Sequence, residues 1–184
     1  MQAAASSSNS VRGLLQRRRV REALAAATEL ARSQPEVAEH WHLLSLSCQQ
    51  AGRVESAIRA SEKALALEPS NGEFSLQYGM ALALSGRSRR AGAQARSLVP
   101  AAEGNAVLQS RLGTLFSLCG DHAGAYRSFH EAVCLEPARA DHSFNRAVAA
   151  RALGKLDEAE SACNDAIALG IRDQRVYYVR SDLR

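Results

Sequence analysis

The chain has 184 residues, 46% hydrophobic and 5% aromatic, with 23 basic and 19 acidic residues and a net charge of +4. That balance allows a buried core, much of it alanine, and is too mild to mark a nucleic-acid binder. No apolar run approaches the ~18 residues a membrane helix needs, and the N-terminus lacks the apolar core of a secretory signal.

An alanine recurs every 34 residues, at Ala23, Ala57, Ala91, Ala125 and Ala159. A fixed period of that size signals stacked supersecondary units. Other columns share it: Ser45, Gly79, Gly113 and Ala147; Gly52, Gly86, Gly120 and Gly154; Leu30, Ala64, Leu98, Ala132 and Ala166; and Pro35, Pro69 and Pro137. Each unit reads as two antiparallel helices. Small residues let the pair approach closely, glycine ends the first helix in a left-handed C′ conformation, and proline stops the second.

The frame gives units at about 4–37, 38–71, 72–105, 106–139 and 140–173, with a partial unit at 174–184. Residues 1–10 are expected to be disordered and 11–184 to form a single solenoid. The Ser, Ala and Arg content before Glu22 has the composition of a transit peptide, but Val11–Arg32 already falls in the frame and is read as structure. The first unit is degenerate, with Ser7, Ser10 and Val11 at core columns. The second, Ala38–Asn71, carries Trp41, Leu44, Ala57, Ala64 and Pro69. In the third, Pro100 comes early, so its second helix is expected to end near Leu98 with a loop over Ala101–Asn105. The fourth carries Leu112, Gly113, Ala125, Phe129, Ala132 and Pro137. The fifth has Arg146 in an apolar column and no closing proline. Asp173 can cap a last helix with Val176, Tyr177 and Leu183 on one side, and the chain stops partway through that unit. Either a partner covers this end or more polypeptide follows.

These columns resemble the tetratricopeptide repeat along the whole chain. The resemblance implies an all-α, right-handed α-solenoid whose first helices line a concave groove. It places His42, Leu76, Ser110, Phe144 and Tyr178 in one groove column, Leu46, Met80, Thr114, Val148 and Asp182 a turn later, and Leu43, Gln77, Arg111, Asn145 and Val179 between them. The apolar members are expected to be partly exposed, which marks a partner site. Gln77, Arg111 and Asn145 stand one unit apart and either form a ladder for an extended peptide backbone or are simply solvated. The two-carboxylate clamp of some family members needs Lys and Asn at groove positions that this chain fills with His42 and Leu46, so chaperone tails are not expected. Residues 175–184 also resemble a segment of bacterial sulfotransferases that carry such repeats, and the Ala- and Arg-rich composition suits a GC-rich bacterial genome.

Arg17, Arg18, Arg19, Arg21, Arg53, Arg87, Arg89, Arg90 and Lys155 fall at or just after the turns within units, with Asp121 interrupting the row. They form a basic edge, either solvated or facing an acidic partner. No aromatic platform accompanies it, so nucleic acid is not favoured.

Nothing catalytic is expected. Cys48, Cys119, Cys134 and Cys163 have no metal-ligand spacing and read as small buried hydrophobes in a reducing, cytoplasmic compartment. His40 and His42 are two apart on a helix and point to different faces, and His122, His130 and His142 read as solvated or partly packed. Asp157 and Glu158 sit at a helix start, where they complement its dipole. There is no GxxxxGK[ST] loop or GxSxG elbow. No metal site or cofactor is expected. The leading expectation is a scaffold binding a peptide or helix of a partner protein in the groove. The alternatives are the repeat module of a larger sulfotransferase, recruiting substrate or mediating dimerisation, and self-association into a homo-oligomer.

Overall fold

In the computed structural model, residues 2–181 are described, with side chains from residue 7 onward. Among these residues there are α-helices and one 3-10 turn and no strand. Contacts divide the chain into two compact units, residues 1–91 and 92–184. The first holds α1 (Gln2–Gln16), α2 (Val20–Ser33), α3 (Ala38–Gln50), α4 (Val54–Leu67) and α5 (Gly72–Leu84). The next helix, α6 (Ser88–Ser97), crosses the division. The second holds the 3-10 turn Pro100–Ala102, α7 (Ala106–Leu118), α8 (His122–Leu135), α9 (Ala140–Ala152), α10 (Leu156–Ala168) and α11 (Arg175–Ser181). The expected pairs α3–α4, α7–α8 and α9–α10 pack against each other, each within its own unit.

The punctuation works as the residue types require. α2, α4 and α8 stop two residues before Pro35, Pro69 and Pro137. At the end of α3 the backbone turns left-handed at Gly52 (φ +71°), and Arg53 N–H donates to Cys48 O at 2.8 Å. That bond satisfies a carbonyl the helix would otherwise leave open. One repeat earlier the same position is Arg18, held at φ +55° with Arg19 N–H on Leu14 O at 2.9 Å. A side chain in that conformation costs roughly 1–2 kcal/mol, so the degenerate first repeat keeps the turn at the expense of strain. Asn71, Asn105 and Asp121 cap α5, α7 and α8 through their side-chain oxygens.

Three expectations change. Residues 2–10, expected to be disordered, belong to α1, which is anchored by buried Val11 and Leu15 packed with Ala23, Ala27 and Leu43. Met1 lies outside the described residues. The segment after α6 contains a 3-10 turn with Ala102 buried, so it is more ordered than a plain loop. On α11, Val176 and Val179 enter the core beside Phe144, Ala162 and Cys163, while Tyr177 is exposed. Asp173 does precede that helix and accepts from Arg175 N–H at 2.9 Å. Leu183, expected on the same side, lies outside the described residues, as do Asp182 and Arg184.

The contact between the helices of a pair takes two chemical forms. In the second unit an added Cβ on Gly113 would sit 2.7 Å from the Phe129 ring, so this glycine is the seat of that ring. The same two columns in the first unit hold Ser45 and Ser61, whose hydroxyls meet at 2.6 Å. Ser61 also donates to Ala57 O, and Gln77 donates its amide to Ser45 (3.2 Å) and Gln49 (2.6 Å). A buried hydroxyl left without a partner costs about 1–3 kcal/mol, so the pair and Gln77 form one network that must be kept together.

Of the cysteines, Cys48 and Cys163 are buried as expected, whereas Cys119 is half-buried and Cys134 exposed. Burial raises the Cys48 and Cys163 thiols above the ordinary range, with nearby Arg53 and Arg180 respectively acting in the opposite direction.

Two outcomes follow from this packing. Gly113→Ala gains about 1 kcal/mol of helix propensity but forces a ring aside in a packed core, which costs about 1–3 kcal/mol. A net loss of up to about 2 kcal/mol is expected in urea unfolding, partly recovered by adding Phe129→Leu. A thiol reagent at pH 8 should label Cys134 first and reach Cys48 and Cys163 only on unfolding, read by peptide mass spectrometry.

Candidate functional site

Within the first unit, the groove residues expected on α3 and α5 do not all face outward. His42 and Leu76 are buried, and the His42 ring lies 4.9 Å from that of Phe74. Gln77, expected as a rung of the ladder, is only 2% exposed because the Ser45–Ser61 pair and Gln49 draw its amide inward. Leu46 and Met80 are half-buried. In the second unit Phe144 is buried in the core under α11, a correction to its expected exposure. Arg111 and Asn145 are half-buried, while Val148 is 38% and Tyr178 69% exposed. The first helices α7 and α9, and α9 and α11, are packed neighbours.

The basic residues at the turns are partly neutralised. Arg19 pairs with Glu22 at 2.6 Å and Arg87 with Glu55 at 3.0 Å. Arg90 donates to Tyr78 Oη at 2.7 Å, and Tyr78 donates to Glu62 at 3.1 Å. Arg17, Arg18, Arg53 and Arg89 are exposed and form no ion pair among the described residues. Arg146, the charge in an apolar column, pairs with Asp165 at 3.0 Å.

Sequence reasoning missed a cleft on the other side of the helix pairs. It lies in the first unit between the second helices α2 and α4, with α3 as its floor, and holds about 760 Å³. Its walls include Leu24, Thr28, Trp41, Leu44, Ser56 and Ala60. Trp41, Leu24 and Leu44 are half-buried, and the Trp41 indole N–H is used by Pro35 O at 2.7 Å. Clefts of a few hundred to about 1,000 Å³ with apolar walls are the usual size for seating a ligand group.

Three histidines are more enclosed than a solvated or partly packed reading allows. His40, His42 and His142 are all within the protein, and His142 Nε2 lies 3.3 Å from Glu136 Oε2. A hydrogen bond from Arg139, and then the His142 contact, hold the Glu136 carboxyl below its ordinary range. Among the described residues no three His, Cys, Asp or Glu side chains are grouped to hold a metal, and no helix is long and apolar enough to cross a membrane.

The model of the tetratricopeptide repeat family matches residues 9–66, 47–106 and 120–173. Protein FlbA of Caulobacter vibrioides is 29% identical over 69% of this chain, which spans about a quarter (27%) of that protein's length. The fold is shared with TTC0263, a thermophilic repeat protein of Thermus thermophilus (17% identity, TM-score 0.78, 98% of each chain). It is shared also with PilF of Pseudomonas aeruginosa (17% identity, TM-score 0.79, 99% of this chain and 83% of that one). YrrB, described as a repeat protein with an unusual peptide-binding site, has a TM-score of 0.69 at 17% identity over 95% of this chain and 90% of its own. These likenesses lend no support to the sulfotransferase resemblance of residues 175–184. The fold points to protein–protein interaction, and the chain belongs to the tetratricopeptide repeat family.

Proposed function

We propose that the chain is a non-catalytic scaffold that receives a peptide or helix of a partner protein against its first helices. The observation that carries this reading is the pair of exposed apolar residues on first helices of the second unit, Val148 on α9 and Tyr178 on α11. Arg111 and Asn145, half-buried one repeat apart, supply polar groups for a peptide backbone beside them. In the first unit Leu46 and Met80 are the corresponding half-buried apolar residues. His42, Leu76, Gln77 and Phe144 contribute by holding the helices in place, since their side chains are enclosed. The peptide-binding site ascribed to YrrB, a protein of the same fold, supports this reading.

The experiment is site-specific photocrosslinking in the source cell, with a photoreactive phenylalanine at Val148 or Tyr178 and, as control, at Leu153 in the turn after α9. The expected result is an adduct with another polypeptide from the first two positions only. Arg111→Ala with Asn145→Ala should lower its yield at least fivefold while helical circular dichroism stays unchanged. Equal adducts from Leu153, or a yield indifferent to the double substitution, contradict the reading. An adduct with a second copy of the chain replaces it with self-association.

A further inference from the structure

The cleft between α2 and α4 stays open for a reason that its register makes visible. One repeat later, Thr28, Leu44 and Ser56 are replaced by Glu62, Tyr78 and Arg90. Those three are tied together across α4, α5 and the start of α6: Tyr78 donates to Glu62 at 3.1 Å and Arg90 donates to Tyr78 at 2.7 Å. At the α2–α4 cleft nothing comparable reaches across among the described residues. Thr28 turns its hydroxyl back to Leu24 O in its own helix at 2.7 Å, and Ser56 accepts from Arg59 in its own helix at 3.2 Å. Size contributes as well. Cys48 lines this cleft, whereas two repeats later the same column holds Phe116, which lines a smaller cleft of about 540 Å³ in the second unit.

The charge around the opening is one-sided. Arg53, Arg59 and Lys63 line it, and its one carboxylate, Glu62, is engaged by Tyr78 and lies 4.0 Å from Arg90. Arg53 and Lys63 form no ion pair among the described residues. An apolar floor of Leu24, Trp41, Leu44 and Ala60 beneath unpaired cations suits a ligand that is apolar at its centre and anionic at its edges.

We propose that the α2–α4 cleft seats an apolar side chain of an acidic segment of a partner protein, with the flanking carboxylates of that segment on Arg53, Arg59 and Lys63. This site is separate from the first-helix faces and does not depend on them. Such a rim contributes mainly selectivity and salt dependence, while the buried side chain supplies most of the affinity.

Trp41 is the chain's one tryptophan, so its emission reports the cleft directly. The test titrates the full chain with a synthetic peptide EDLFEDL and its charge-reversed counterpart KKLFKKL at low salt, following that emission. The expected result is a saturable shift with the acidic peptide at least tenfold tighter than with the basic one. Arg53→Glu with Lys63→Glu should invert the preference at unchanged helical circular dichroism. Rebuilding the bridge with Thr28→Glu, Leu44→Tyr and Ser56→Arg should remove the response. Equal responses to both peptides, no response to the acidic peptide at millimolar concentration, or a preference unmoved by the charge reversal each overturn the proposal. So does a concentration-dependent dimer in sedimentation that the charge reversal dissolves, because the occupant is then a second copy.

Discussion

Everything in this protein hangs on one contact repeated along the chain, where a small residue on a first helix meets the second helix of its pair. Packed interiors leave little slack, so the side chains at this point set how closely the two helices lie. In the second unit the contact is Gly113 under the Phe129 ring. In the first it is Ser45 against Ser61, with Gln77 completing the network. One solution is shape and the other is hydrogen bonding. The fifth repeat uses neither, placing Ala147 and Cys163 together in an apolar cluster closed by Val176 and Val179 of α11.

The surfaces left by this arrangement explain why the fold serves recognition. Each helix pair buries its own interior and presents a first-helix face and a second-helix face. Where Glu62 of α4 and Arg90 of α6 flank Tyr78 of the intervening first helix α5, the side chains close on one another. In the second unit Tyr126 and Glu158 do the same, with Lys155 at 2.8 Å from Glu158 and over the tyrosine ring. That hydrogen bond to the Glu158 carboxylate, aided by burial, raises the Tyr126 phenol above its ordinary range, so it remains a donor. Where the column carries Thr28, Leu44 and Ser56, the walls stay apart. The two registers thus differ at these three side chains, one closed by hydrogen bonds and the other open, within the same repeat.

The repeat, the helix pairs, the turn at Gly52 and the stops before the prolines were all legible in the sequence, because each depends on residues close together in the chain. Register predicted which residues share a column but not which way a polar side chain turns. Gln77 shares its column with Arg111 and Asn145, yet it is drawn inward by Ser45, 32 residues away in the chain and itself held by Ser61, a contact invisible to local spacing. Val176 and Tyr177, read as sharing a side, are adjacent on α11 and diverge: Val176 is buried with Val179, three residues on, and Tyr177 is exposed. The cleft left a signal that column comparison could have found, since Thr28, Leu44 and Ser56 are each smaller or less polar than their successors 34 residues on.

The most direct test is a double-mutant cycle on the helix-pair contact of the first unit, exchanging its chemistry for that of the second. Ser61→Phe alone should be strongly destabilising, because the ring meets the Ser45 hydroxyl and strips it of its partner, about 2–4 kcal/mol in urea unfolding. Adding Ser45→Gly gives the ring the seat that Gly113 gives Phe129, and the pair should recover at least ~1 kcal/mol as coupling energy. Additive losses from the two substitutions would contradict the account, since the contact would then not set the approach of the helices.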